Sequence, residues 1–371
     1  MLDSLRNTVF AFRGYNVTNL GRTAELLQNP QYEPIVVAHL KDAGKVYQRV
    51  TGKPTDLLDR VRKGQETDLS TYAQAVALIV GVEIAQLEIL KEVHGIDYRQ
   101  ARALMGYSLG ELTAVSAAGV CDWRDSMALT LELAADCAEL AENVTLAVVF
   151  SRQNEIPIDG VQQLCMEINE AGDGVVGISA ILSPNSLLIM GQGTTVDRFI
   201  DARKERFEMP LIVRKNSQHY PPLHTPIMWQ RAIADRVSEL MHTLKVEYTQ
   251  TMPPVISLIT GGLDYNEINQ REMLRNWVDR PQRLWEAVEC VLTSPATTVV
   301  HVGPEPNIIP ATFQRLADNV DLQLKGNMGM RALAAAAKRP WLGNLLPQKA
   351  SLLRAPQIEQ VILEDWLLEQ A

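Results

Sequence analysis

At 371 residues and 46% hydrophobic content, the chain is long enough to bury a sizeable core, as one large domain with an insert or as two domains. A formal net charge of −9 argues against broad nucleic-acid binding, which needs a concentrated basic surface. The four cysteines, Cys121, Cys137, Cys165 and Cys290, lack the paired spacings of a zinc site or redox motif and read as reduced core thiols.

The N-terminus reaches an apolar run only at Val9 to Phe12, too short for a signal peptide. The most apolar stretch, Ala73 to Val82, ends at Glu83, short of the roughly 20 residues of a membrane span. The expectation is a soluble, cytoplasmic protein with no membrane and no nucleic acid among its partners.

Thr8 to Phe12 predicts a strand ending at Arg13-Gly14, and Ser70 to Val93 a long helix rich in Ala, Leu, Ile and Val. Ala101 to Met105 predicts a second strand, followed at once by Gly106-Tyr107-Ser108-Leu109-Gly110 and a small-residue helix through Ala118. Such alternation implies a parallel sheet covered by helices. From about Val144 the order becomes βαββαβ: strand Thr145 to Phe150, helix Gly160 to Glu170, strands Val175 to Ile181 and Ser186 to Met190, helix Thr194 to Glu208, strand Leu211 to Val213. That is the order of a ferredoxin-like unit, here an insert. The main sheet resumes with Val255 to Ile259 and Thr297 to Val302. Beyond Asn319, Met330 to Lys338 is alanine-rich, and Gln357 to Glu369 predicts an amphipathic helix packing back on the core. The fold class is therefore α/β: an α/β-hydrolase-like core with a parallel sheet (1–143 and 217–325), an inserted ferredoxin-like subdomain (144–216) and a C-terminal helical extension (326–371).

The motif G-x-S-x-G between a strand and a helix is a nucleophile elbow, which places Ser108. Its glycines permit the sharp turn, and the following helix aims its first N–H groups at developing negative charge. A serine hydroxyl needs a base within reach. Among six histidines, His94 reads as a capping or surface residue, His242 lies on a polar helix, and His301 sits in a predicted strand. His219 and His224 follow the insert directly, so their segment returns to the main sheet near the elbow and either can act as base.

Gly106 to Glu111, with Ala117-Ala118-Gly119 and Asp122-Trp123, resembles the G-H-S-x-G-E…A-G…D-[FW] segment of malonyl-CoA:acyl-carrier-protein transacylases and polyketide-synthase acyltransferase domains. Leu223-His224-Thr225-Pro226-Ile227-Met228 resembles their histidine motif, Val302-Gly303-Pro304 their late G-P motif, and Gln74 the glutamine of their T-Q-P-A segment. The resemblance covers roughly residues 8 to 320. It implies that Ser108 attacks a CoA thioester while His224 takes its proton, and that the acyl group then passes to the phosphopantetheine thiol of an acyl carrier protein, in fatty-acid or polyketide biosynthesis. It also implies an oxyanion hole from the backbone N–H groups of Tyr15 and Leu109, a histidine-orienting backbone carbonyl in Asp279 to Arg283, namely that of Arg283, and an acyl pocket including Gln74, Tyr107, Leu133 and Leu223. No metal and no permanently bound cofactor are expected. The basic cluster Arg203, Lys204, Arg206, Arg214 and Lys215 reads either as a solvated face or as a landing site for CoA phosphates or an acidic carrier protein.

Three departures from the family pattern matter. The arginine that pairs with the malonyl carboxylate aligns without gaps to Leu133, which cannot hold a carboxylate, and burying one unpaired costs several kcal/mol. Tyr15 stands where a glutamine helps form the oxyanion hole, and Tyr107 replaces the histidine before the nucleophile. These point to an uncharged acyl group rather than malonyl. An acyl hydrolase releasing chains from carrier proteins fits the same residues, and a catalytically silent partner protein is the third alternative.

Overall fold

The computed structural model describes residues 4–152, 154–245, 250–325 and 348–370. Its larger sheet has five parallel strands in the order β10-β9-β1-β2-β7, built from β1 (Thr8–Phe12), β2 (Ala103–Gly106), β7 (Val255–Ile256), β9 (Thr298–Val302) and β10 (Glu359–Ile362). Alternation along β1 sends Phe10 and Phe12 into one core and Val9 and Ala11 into another on the opposite face. A sheet buried on both faces needs apolar residues in both registers, which is why this strand reads as an unbroken apolar run.

The helix α3 (Tyr72–Glu92) lies within the first core, packed against α1 (Glu33–Thr51) and α5 (Trp123–Ala141). By length and composition it could cross a membrane, contrary to the expectation from Ala73 to Val82 alone. It is nonetheless mostly buried in protein, and it carries Glu83 and Gln86 fully enclosed. The short α2 (Leu57–Arg62) precedes it.

Strand β2 runs into α4 (Leu109–Ala117) through the predicted elbow. A Cβ placed on Gly106 would come within 2.1 Å of the Gly110 carbonyl, so strand end and helix start meet backbone to backbone. Gly106→Ala is therefore expected to be among the severe class of substitutions, destabilising by more than about 4 kcal/mol. Soluble yield and thermal unfolding check this; a Tm within a few degrees of the parent would contradict it.

The insert contains β3 (Val144–Phe150), α6 (Ile158–Glu170), β4 (Val176–Ser183), β5 (Ser186–Gln192), α7 (Thr195–Arg206) and β6 (Ile212–Lys215). Its strands are antiparallel in the order β6-β3-β5-β4, the ferredoxin-like arrangement that the βαββαβ pattern predicts. The chain then passes through α8 (Ile233–Thr243) and α9 (Gln270–Asn276) to β8 (Gln282–Arg283), which pairs parallel to β4 and stitches the insert to the main body. It continues through α10 (Leu284–Thr293) and α11 (Ile308–Lys325).

The C-terminal reading needs correction. Met330 to Lys338 lies outside the described residues. Gln357 to Glu369 is not one helix: Glu359 to Ile362 form β10, and only Leu363–Glu369 is helical (α12). The spacing of Ile358, Val361, Ile362 and Leu363 suits a helix locally, but the open edge of β9 offers a parallel partner and tertiary pairing prevails. Arg354, almost fully buried, fastens this segment by donating to the carbonyls of Leu292 (2.6 Å), Ser294 and Ala296 (2.6 Å).

Candidate active site

Ser108 sits at the elbow with φ 54° and ψ −118°, and His224 has φ 67°. Non-glycine residues in this region cost roughly 1–3 kcal/mol each and persist where surrounding packing fixes them. The two meet: His224 Nε2 lies 2.8 Å from Ser108 Oγ. His224 Nδ1 lies 2.6 Å from the Trp277 carbonyl. A carbonyl only accepts, so Nδ1 carries the proton and the Nε2 lone pair faces the serine hydroxyl. The backbone N–H of His224 also donates to the Val278 carbonyl at 2.7 Å.

The orienting carbonyl is thus Trp277, not Arg283 as expected. Trp277 follows the last turn of α9, where carbonyls lack intrahelical partners and are free to accept. Arg283 is committed elsewhere: it pairs in register with Ile181, donates its N–H to the Leu258 carbonyl at 2.6 Å, and bonds Glu286 through its side chain at 2.7 Å.

Two residues that sequence reasoning missed complete the framework. Fully buried Trp277 donates Nε1–H to the Ser108 carbonyl at 2.8 Å and sets its ring edge-on to His224, so one residue positions both partners. Gln282 accepts the Ser108 N–H on Oε1 at 3.0 Å. Gln282 lies inside the Asp279–Arg283 stretch that the resemblance singled out and Trp277 two residues before it, but neither was given a role.

Burial lowers the His224 pKa from 6.5 to about 4, only partly opposed by the Trp277 hydrogen bond. The imidazole is therefore neutral at pH 7 and ready to accept a proton. The acylation rate should stay level between about pH 8 and 6 and fall only as His224 protonates near pH 4. The same depressed value means protons favour the unfolded chain, so stability contributed by this residue is lost as pH falls from 6.5 toward 4. A single-turnover pH–rate profile checks this, and an inflection near 6.5 would contradict it.

Two stretches of backbone lie beside the serine. Leu109 begins α4, so its N–H has no intrahelical acceptor. The loop at Gly14-Tyr15 passes directly against the elbow: a Cβ on Gly14 would lie 2.7 Å from the Tyr107 carbonyl and 3.3 Å from Ser108 Cβ.

Ser108 and His224 open onto a cavity of about 550 Å³ between the main body and the insert. Tyr15, Tyr72, Tyr107 and Tyr220 form one part of its wall, and Leu146, Leu188, Met190 and Leu223 another. Tyr107 and Leu223 thus stand where expected, but Gln74 and Leu133 do not. The Gln74 side-chain oxygen is taken by Arg60 at 2.6 and 3.0 Å. Leu133 is 1% exposed within the first core, where the apolar face of α5 packs, and does not reach the cavity wall. Among the described residues lining the cavity, the cation is Arg315, exposed on α11.

His219 does not line the cavity, and its Nδ1 lies 3.0 and 3.1 Å from the carbonyls of Ala141 and Val144. The basic cluster does not line the cavity either. Arg203 caps the Leu211 and Ile200 carbonyls, Lys204, Arg206 and Lys215 pair with Asp201, Glu167 and Asp197, and Arg214 lies over the Phe150 ring.

No family model matches the chain. It is 22% identical over 308 residues to the malonyl CoA-acyl carrier protein transacylase of Bacillus subtilis, covering 82% of this chain and 72% of that protein. It is 25% identical over 298 residues to a phenolphthiocerol/phthiocerol polyketide synthase polypeptide of Mycobacterium tuberculosis, covering 80% of this chain but only 18% of that much longer protein. Among solved structures, the malonyl-CoA:acyl carrier protein transacylase of Xanthomonas oryzae superposes with a TM-score of 0.67 at 21% identity, over 84% of this chain and 92% of that one. A malonyl-transacylase in complex with its type II polyketide-synthase acyl-carrier protein gives 0.64 at 20%, over 82% and 92%. In sequence and fold, the chain is a homologue of the malonyl-CoA:acyl-carrier-protein transacylases and polyketide-synthase acyltransferase domains.

Proposed function

We propose that the chain is an acyltransferase that carries an uncharged acyl group as an ester on Ser108 and passes it from a CoA or carrier-protein thioester to the phosphopantetheine thiol of an acyl carrier protein. The observation that carries this reading is the 2.8 Å contact between Ser108 Oγ and an imidazole nitrogen whose proton lies on the far side of the ring. Ser108 Oγ attacks the thioester carbonyl carbon as His224 Nε2 takes its proton. The carbonyl oxygen becomes an anion facing the N–H groups of Leu109 and Tyr15. Collapse breaks the C–S bond, His224 returns the proton to the departing thiolate, and the ester remains. The acceptor thiol then runs the same steps in reverse, giving its proton to His224 and releasing Ser108.

The uncharged substrate is supported by the cavity wall, where tyrosines and aliphatic side chains surround the serine and the arginine present is exposed. Among the described residues lining the cavity, a carboxylate would find a bidentate partner only in exposed Arg315. The test is kcat/KM for acetyl- and butyryl-CoA against malonyl-CoA, in the parent and in Arg315→Ala. Preference for the uncharged thioesters supports the reading. A preference for malonyl that disappears in Arg315→Ala would overturn it and make Arg315 the carboxylate clamp.

A further inference from the structure

The loop that passes over the nucleophile is held by one buried guanidinium. Arg13 is 2% exposed, directly after β1, and every one of its five N–H donors finds an acceptor. Nε donates to the Gly14 carbonyl (2.8 Å), and Nη2 to the Thr18 carbonyl (3.1 Å) and Asn19 Oδ1 (2.8 Å). Nη1 reaches the other way, to the carbonyls of Pro304 and Glu305. Fully buried Asn19 extends the network, donating to the Asn16 carbonyl at 2.6 Å and to Thr67 Oγ1 at 2.8 Å.

The turn on the far side is equally fixed. Gly303 has φ +105° and donates its N–H to Gln86 Oε1 of α3 at 2.7 Å. A Cβ there would meet Arg13 Cγ at 2.7 Å and Glu83 Cγ at 3.0 Å, so the arginine stem lies in a slot that only glycine leaves open. Glu305 N–H in turn bonds Glu364 of α12 at 2.7 Å.

We propose that Arg13 is a positioning residue for the reaction: by tying residues 14–19 to the turn at 303–305, it holds the Tyr15 N–H against Ser108 where the oxyanion forms. This rests on the acyl-ester reading above. Arg13 touches no substrate and acts through the loop. A lysine cannot replace it, because three donors on one nitrogen cannot bridge two chain segments as a planar fork does.

The test uses Arg13→Lys and Arg13→Ala in the full chain. Three quantities are read: thermal stability, kcat and KM with an acyl thioester, and the rate at which a fluorophosphonate labels Ser108. Arg13→Lys should lower kcat and the labelling rate by about 10²–10³-fold, the size of losing one oxyanion donor, with KM nearly unchanged. In Arg13→Ala, millimolar methylguanidinium should restore labelling in a saturable way that sodium chloride at equal ionic strength does not reproduce. Folded Arg13→Lys with parental kcat and labelling rate overturns the proposal. So does a loss that follows the folded fraction alone and resists rescue, which would make Arg13 a purely structural residue. A parent protein that the fluorophosphonate does not label at Ser108 would instead contradict the acyl-ester reading, and these outcomes are distinct.

Discussion

Ser108→Ala should abolish covalent acylation, with the single-turnover rate falling on the order of 10⁶-fold, because the reaction then has no nucleophile rather than a weaker one. The elbow explains why no neighbour can substitute. Ser108 is held at φ 54° by its N–H bond to Gln282 and by the Trp277 Nε1–H bond to its carbonyl, which together fix Oγ over the cavity. Ser179 also lines the cavity, but its hydroxyl is directed to the Leu223 carbonyl, 3.4 Å away, rather than to a histidine nitrogen. Intact-mass measurement after exposure to an acyl thioester checks this; an acyl adduct at a single site in Ser108→Ala would show that another residue is the nucleophile.

His224→Ala should lower the same rate by about 10⁴–10⁶-fold, since the hydroxyl would have to lose its proton unaided. The neutral imidazole that makes His224 an acceptor is set by enclosure: it is 3% exposed, and its Nδ1–H and backbone N–H are held by the carbonyls of Trp277 and Val278. His219→Ala is the control, expected to leave the acylation rate within a fewfold of the parent, because its ring faces Ala141 and Val144. Rapid-quench acylation of both variants distinguishes them, and reversal of the two effects would overturn the assignment.

What could be read from the sequence was what local spacing encodes. The elbow announces itself because a sharp strand-to-helix turn demands glycines at fixed offsets, whereas position along the chain left His219 and His224 open and only the resemblance of Leu223 to Met228 to the family's histidine motif singled out His224. The βαββαβ order of the insert follows from period and length, and its strand order in space matches. Trp277 and Gln282 were illegible because their roles rest on where a helix end and a sheet-edge strand meet in space. A backbone carbonyl, moreover, has no side-chain signature. Leu133, placed by gapless alignment, and Gln74, placed by a motif match, were misplaced because either fixes a position along a helix but not what packs over it. At Leu133 the core closes, and at Gln74 the guanidinium of Arg60 occupies the side chain. The C-terminal strand escaped because four residues at a sheet edge carry too little pattern to outweigh a helical one, and only the open edge of β9 decides their state.

The most direct measurement follows one acyl group through both halves of the reaction. The protein is incubated with acetyl- or butyryl-CoA, its intact mass and the Ser108 peptide are read, and phosphopantetheinylated acyl carrier protein is then added. The account predicts a single acyl adduct on the peptide containing Ser108, persistent in water and lost as the carrier protein gains the same mass. An adduct absent from Ser108, or one released to water as fast without the carrier protein as with it, would contradict acyl transfer as the function of this site.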